Sequence, residues 1–222
     1  MQIDIWKITL ETLLMTFLST FLAYLIGLPL GVMLNVTSKN GLRPKRGVNL
    51  CLGAIVNFLR SVPCLILTVI LLPFNRLLLG RGTGVWYTMV IPLFFSSFAY
   101  VARNVEQSLQ DVDARVIEMA KSLGASDIQI VTNVLLIEAR SSLVLGVAIT
   151  LVNVLGYTSF AYNIGAGGLI SEIWSYYSKN TTDFLQSSTF WLLIFLVVIL
   201  VEIVQELGLL LAKKLDKRKT LK

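Results

Sequence analysis

Long apolar runs separated by short charged clusters dominate the chain. Residues 12–38, 82–102 and 184–201 carry no Asp, Glu, Lys or Arg, and a further apolar run lies within 141–171. About 20 such residues, rising about 1.5 Å each in a helix, cross a hydrocarbon core about 30 Å thick. Each run therefore predicts a membrane-spanning helix. The second run, 48–75, is interrupted by Arg60. The part after Arg60 reaches about 22 Å at helical rise, so a span there must start before the arginine. The pattern predicts one all-α integral membrane domain over residues 1–222, with spans near 12–36, 50–73, 84–104, 141–163 and 185–210.

Particular residues shape these spans. The first run is too long for a signal-peptide core, lacks an A-x-A cleavage site and follows Asp4 and Glu11 instead of a basic segment, so it is a retained helix. Its Gly27, Pro29 and Gly31 mark a kink, a close helix contact, or both. A charge at the bilayer centre costs about 2.5–3.5 kcal/mol, which requires Arg60 to snorkel to the inner surface or face the protein interior. Pro63 is expected to bend the same helix.

Composition narrows the function. The chain is 55% hydrophobic and 14% charged, with mean hydropathy +0.76, against charge on about a quarter of an ordinary soluble domain. Little remains for a folded domain outside the membrane. Histidine is absent, which removes His-based zinc sites, Ser-His-Asp triads and imidazole proton shuttles. Cys51 and Cys64 lack metal-ligand spacing and read as small buried apolar side chains, so no metal site is expected.

The net charge of +6 raises nucleic acid as a partner, but the cations sit in short segments beside apolar runs, where membrane topology explains them better. With the amino terminus outside and the carboxy terminus inside, only Lys7, Arg76, Arg81 and Lys179 of the nineteen Lys and Arg fall on the outer side. That asymmetry follows the positive-inside rule. The tail cations Lys213, Lys214, Lys217, Arg218, Lys219 and Lys222 read as a topological anchor touching anionic lipid. Glu202 and Glu206, one turn apart nearby, read as interfacial ion-pairing groups. Five spans with no visible internal repeat do not enclose a pathway alone, so a symmetric dimer or larger assembly is expected.

The longest inner connection, 103–140, alternates in charge sign and contains a predicted elbow over 111–130. Asp113 is placed as an N-cap, and Ile117, Ala120 and Leu123 form an apolar stripe beside Arg115, Glu118 and Lys121 at i,i+3. Gly124 follows the last periodic residue, as a C′ glycine does. Ser126 and Gln129 then have capping-box spacing, with Asp127 in the first turn of a second helix. A rigid docking knob and an amphipathic connector lying on the membrane fit these residues equally.

Here a resemblance becomes specific. Glu118-Met119-Ala120, three residues, Gly124, then Val134-Leu135-Leu136 is similar to the E-A-A-x-x-x-G motif in permease subunits of bacterial ATP-binding-cassette importers. Met119 replaces the usual first alanine, and Ile137 stands where a proline usually follows, removing an expected turn or kink. Other segments resemble the small five-span permeases for methionine: Gly27-Leu28-Pro29-Leu30-Gly31-Val32, Arg60-Ser61-Val62-Pro63, Gln129-Ile130-Val131, Glu138-Ala139, Gly156-Tyr157 and Gly165-Ala166-Gly167-Gly168-Leu169. The coupling motif speaks for the superfamily. Substrate rests on the overall likeness, which permeases for osmoprotectants and other amino acids partly share.

The resemblance implies a transport subunit of the bacterial inner membrane, driven by a separate ATPase and importing L- or D-methionine by alternating access. It implies a homodimer, two cytoplasmic ATPase copies and an extracytoplasmic substrate-binding protein. ATP and Mg would belong to the ATPase, since this chain has no G-x-x-x-x-G-K-[ST] loop. Glu118, Ala120, Lys121, Ser122, Gly124 and Ala125 would couple to the motor, with Glu118 shaping the elbow, Ala120 allowing close approach and Gly124 setting the corner. A secondary transporter or channel, or a membrane scaffold, would explain the spans without the capped elbow.

In the fourth span, Tyr157, Ser159, Phe160 and Asn163 mix aromatic and hydrogen-bonding groups suited to a transport pathway or gate, with Phe160 as a hydrophobic plug. Tyr162 reads as an interfacial aromatic. Gly165, Gly167 and Gly168 are structural, ending the span in an outer turn. No strand precedes them, so they are not a dinucleotide fingerprint.

Overall fold

The computed structural model describes residues 4–181 and 183–215, and every helix or strand element among them is helical. Helix α1, Ile5–Thr37, starts where the Asp4 carboxylate accepts the Lys7 backbone N–H at 3.2 Å. Its buried positions are mostly small or hydroxylic: Thr12, Thr16, Ser19, Thr20, Ala23, Gly27 and Gly31. Large apolar side chains such as Phe17, Phe21 and Leu25 point outward instead. This inverts a soluble helix, because lipid tails solvate bulky side chains while close helix packing selects small ones.

The partner of α1 is α5, Val90–Gln110, entered through a 3₁₀ turn at Trp86–Met89. A Cβ on Gly27 would lie 2.7–2.8 Å from Val101 and the Phe98 carbonyl, and one on Gly31 would lie 2.5 Å from the Ala102 carbonyl. The Gly27–Gly31 segment is therefore a close contact, and the helix runs on through Pro29. Thr12 and Thr16 return their buried hydroxyls to carbonyls one turn back, while Ser19 donates across to the Val90 carbonyl at 3.2 Å.

The second span, expected to bend at Pro63, breaks there into α2, Arg46–Ser61, and α3, Cys64–Ile70, and a further α4, Leu72–Leu79, follows. Proline lacks an N–H and pushes the preceding residue to extended backbone, and Val62 is extended at φ −84°, ψ 118° before Pro63. The axis turns by 93° there. Among the described residues four helices are long and apolar enough to cross, and five if the bent α2–α3 pair is one span. Arg60 sits exposed in the last turn of α2, outside the chain's interior. Cys51 is also exposed, against the expectation of burial, whereas Cys64 is buried; both thiols are free.

The elbow carries α6, Ala114–Ser122, and α7, Asp127–Ile130, followed by a π turn at Val131–Leu135 and α8, Leu136–Glu138. Helix α9, Arg140–Tyr157, continues as 3₁₀ over Thr158–Ile164. The amphipathic α10, Leu169–Lys179, was not expected from the apolar pattern and leads to α11, Ser188–Leu215. Helices α9 and α11 pack together, with Gly208 against the Ala148 methyl. At their shared end Arg140 donates to the Leu215 carbonyl at 3.1 Å and Ser141 to the Ala212 carbonyl at 2.8 Å. Those bonds tie the start of α9 to carbonyls at the end of the described part of α11. Lys213 and Lys214 lie in its final turn, while 217–222 lie outside the described residues.

The connections gather at two ends. One holds the start of α1, the 80–86 turn and the 165–180 segment; the other holds the 38–45 turn, the elbow and the end of α11.

Candidate functional site

The elbow is built from local hydrogen bonds. Asp113 accepts the Arg115 N–H at 2.9 Å and so opens α6. That helix closes in a Schellman motif: the Gly124 N–H bonds to the Lys121 carbonyl at 3.0 Å and the Ala125 N–H to the Ala120 carbonyl at 3.1 Å. Gly124 takes φ +79°, and nothing lies within 4 Å of where its Cβ would be. Conformation alone therefore selects glycine at this corner. One turn on, Ser126 and Gln129 exchange both capping-box bonds, and α7 begins.

The elbow is anchored on its inner face and free on its outer one. Ile117, Ala120 and Ala125 pack against a buried cluster that includes Val105, Leu109, Ile130 and Leu135. Leu123 departs from the expected stripe: it is 82% exposed, beside exposed Met119 and Ile128. The stripe ends at Ala120 because the Schellman turn brings Ala125 inward in place of Leu123. Glu118, Lys121 and Ser122 are exposed, and Ser122 returns its hydroxyl to the Glu118 carbonyl. Among the described residues Glu118 forms no ion pair; Arg115 lies nearest Asp113, at 4.0 Å. The predicted i,i+3 pairing thus gives way to the helix cap.

Ile137 does not leave the helix uninterrupted. The π turn at Val131–Leu135 and a break at Ala139, φ −80°, ψ −3°, interrupt the α-helix on either side of it.

At the opposite end the fourth span stops at Gly165, φ +64°, with the Ala166 N–H bonded to the Ala161 carbonyl at 2.9 Å. Gly167 and Gly168 also take positive φ, and both press against α1. A Cβ on Gly167 would lie 2.5 Å from a Glu11 carboxylate oxygen. The Gly168 N–H bonds to that oxygen at 3.2 Å, and the Leu169 N–H bonds to the Thr12 hydroxyl at 2.8 Å. The N-terminus of α10 is thus capped by another helix, where a carboxylate also suits the dipole. Asp4, Lys7, Trp86, Glu172 and Lys179 border a cleft of about 700 Å³ beside this contact.

The candidate gate residues occupy the α9 end and the 3₁₀ segment. Three residues per turn place Phe160 and Asn163 on one face, and the Asn163 amide reaches the Phe160 carbonyl at 3.4 Å. Phe160 and Ser159 are half-buried, and Phe160 rests on a cluster with Met15, Cys64, Met89 and Leu93. Tyr157 and Asn163 are exposed. Tyr162 stacks on Trp174, ring centroids 6.2 Å apart, within the aromatic group where α10 meets α11.

The comparisons with known proteins fit these features. The family model described as binding-protein-dependent transport system inner membrane component matches residues 27–217. The chain belongs to this family. As a family member it is 39% identical to the methionine import system permease protein MetP of Bacillus subtilis, over 97% of this chain and 95% of that protein. It is 34% identical to the probable D-methionine transport system permease protein MetI of Vibrio cholerae, over 95% and 91%. A solved inward-facing structure of the MetNI methionine ABC transporter aligns with TM-score 0.89 and 34% identity, covering 96% of this chain and 98% of that one. An amino acid ABC transporter structure, 17% identical with TM-score 0.73, shares the fold.

In this family member three sets of contacts escaped the sequence. Glu11 and Thr12 were read only as the edge of an apolar run, and their partners are 157 residues away. Arg43, in the turn after α1, pairs with Asp127 of the elbow. Arg103 and Glu106 form a largely buried ion pair on α5, signalled only by opposite charges at i,i+3 just past an apolar run. Glu202 and Glu206 are exposed and make no ion pair among the described residues.

Proposed function

We propose that this chain is the methionine-conducting subunit of an ATP-driven importer, working as a homodimer with two copies of a cytoplasmic ATPase. Its likeness, over nearly the whole length, to permeases named for methionine carries this reading. The elbow supplies the mechanical part. Two capped helices joined at a left-handed glycine make a rigid knob, with Met119, Leu123 and Ile128 exposed and Ile117 and Ala120 fixed to the core. Such a knob, seated on a motor, carries nucleotide-driven closure into rigid-body movement of α5 and α9. ATP and Mg act on the ATPase, and this chain positions helices.

The charge distribution supports the elbow end as cytoplasmic, with the amino terminus and the Gly165–Gly168 turn outside facing a substrate-binding protein. The elbow end gathers Lys39, Arg43, Lys45, Arg46, Arg115, Lys121 and Arg140, as the positive-inside rule requires. Phe160 and Asn163 are the proposed constriction, closed by an apolar ring beside an amide. Trimming Phe160 to alanine raises leak or uncoupled uptake; unchanged uptake removes Phe160 from the pathway.

The test is reconstitution in liposomes with the ATPase and the binding protein, following ATP-dependent uptake of labelled L- and D-methionine against competing amino acids. Uptake of methionine that stops without ATP supports the reading. Strong uptake of a different solute with none of methionine keeps the machine and overturns the substrate.

A further inference from the structure

Helix α5 leads through a three-residue turn into the elbow, and α2 leads through the 93° bend into α3. One side chain ties the two helices by polar bonds. The Arg103 guanidinium bonds with one nitrogen to the Glu106 carboxylate, 2.5 Å away on the same helix. Its other terminal nitrogen crosses to α2 and reaches the Asn57 side-chain oxygen at 2.9 Å and the Gly53 carbonyl at 3.2 Å. Gly53 leaves the approach open, since a Cβ there would sit 3.3 Å from the guanidinium. Glu106 is 6% exposed, and its second oxygen accepts from Gln110 at 3.3 Å.

The buried apolar residues that the two helices share are Val56, Ala99 and Ala102, whose dispersion contacts carry no donor–acceptor direction and tolerate small shifts. A forked, directional donor does not: its geometry is met at one register only. We propose that Arg103 is a positioning residue that fixes the register of α2 on α5, so that displacement of the elbow is carried to the broken helix. This deepens the transport reading above and rests on it.

The experiment uses the full complex in liposomes and reads methionine taken up per ATP hydrolysed. Arg103→Lys keeps a cation beside Glu106 but loses the fork across to α2, and Asn57→Ala removes the acceptor on α2. Both lower the ratio by about ten-fold or more, the scale of one charge-assisted hydrogen bond, while Asn57→Asp, which keeps an acceptor, holds it near wild type. If Arg103 merely neutralises Glu106, Arg103→Lys and Asn57→Ala both stay coupled, and the proposal is overturned. Because Asn57 is exposed, its two variants decide the matter even if Arg103→Lys fails to assemble.

A second readout needs no transport. Spin labels on the exposed Cys51 of α2 and on a cysteine replacing exposed Gln107 of α5 report the distance between the helices. Asn57→Ala broadens or shifts that distribution; an unchanged distribution overturns the proposal. A wild-type complex that moves no methionine while this distance responds sinks the transport reading and leaves the register lock standing.

Discussion

Two glycine corners sit at opposite ends of this molecule and are held by different means. At Gly124 every stabilising bond comes from within a few residues, and open space surrounds the missing Cβ. At Gly167 and Gly168 positive-φ backbone is wedged against α1, with Glu11 and Thr12 supplying the caps from 157 residues away. The first corner takes its shape from local bonds and moves as a unit with the core on which Ile117, Ala120 and Ala125 pack. The second is a clamp, and moving it means breaking contacts between α1 and the start of α10. A transport subunit needs both, one end that shifts as a rigid body and one that opens by separation.

The largest effect is expected from Gly167→Val. Valine there meets the disfavoured left-handed backbone and displaces the Glu11 carboxylate from the Gly168 N–H, a cost of about 2–5 kcal/mol. Thermal unfolding of the purified complex should shift strongly or the complex should fail to assemble; a shift no larger than that of Gly124→Val would erase the distinction between the corners. Thr12→Val follows, because it strands the buried Leu169 N–H at about 1–3 kcal/mol. Hydrogen exchange at the start of α10 should accelerate in that variant while exchange in the elbow stays unchanged.

Gly124→Val carries only the backbone penalty, about 1–2 kcal/mol. Its signature is functional: ATP hydrolysis continues while uptake per ATP falls, and fully coupled transport would count against the elbow as transmitter. The smallest effect belongs to Ser126→Ala, about 0.5–1 kcal/mol for an exposed helix cap. Circular dichroism of the complex should then show a modest drop in midpoint, and no drop would mean that Gln129 or water replaces the serine.

This contrast also explains what was legible beforehand. Asp113, Gly124, Ser126 and Gln129 announced the elbow because caps act over two to four residues, a distance that sequence displays directly. The same logic failed at Leu123, since periodicity alone does not register that the Schellman turn swaps Ala125 into the core. Pro63 announced a bend but not its 93° size, and the separate α4 depended on Leu71 and Pro73 as well. Helix α10 went unread because its aromatics and charges face several surroundings at once.

The amino-acid order alone determined that this is a lipid-embedded helical chain with a capped elbow, because length, apolarity and capping act within one segment. Tertiary structure decided the rest. It set Gly27 and Gly31 against α5, Glu11 and Thr12 over the start of α10, and Arg103 across to α2. In lipid the hydrophobic effect does not rank one apolar face above another, so helix pairing is chosen by close packing and by polar groups that must find partners far along the chain.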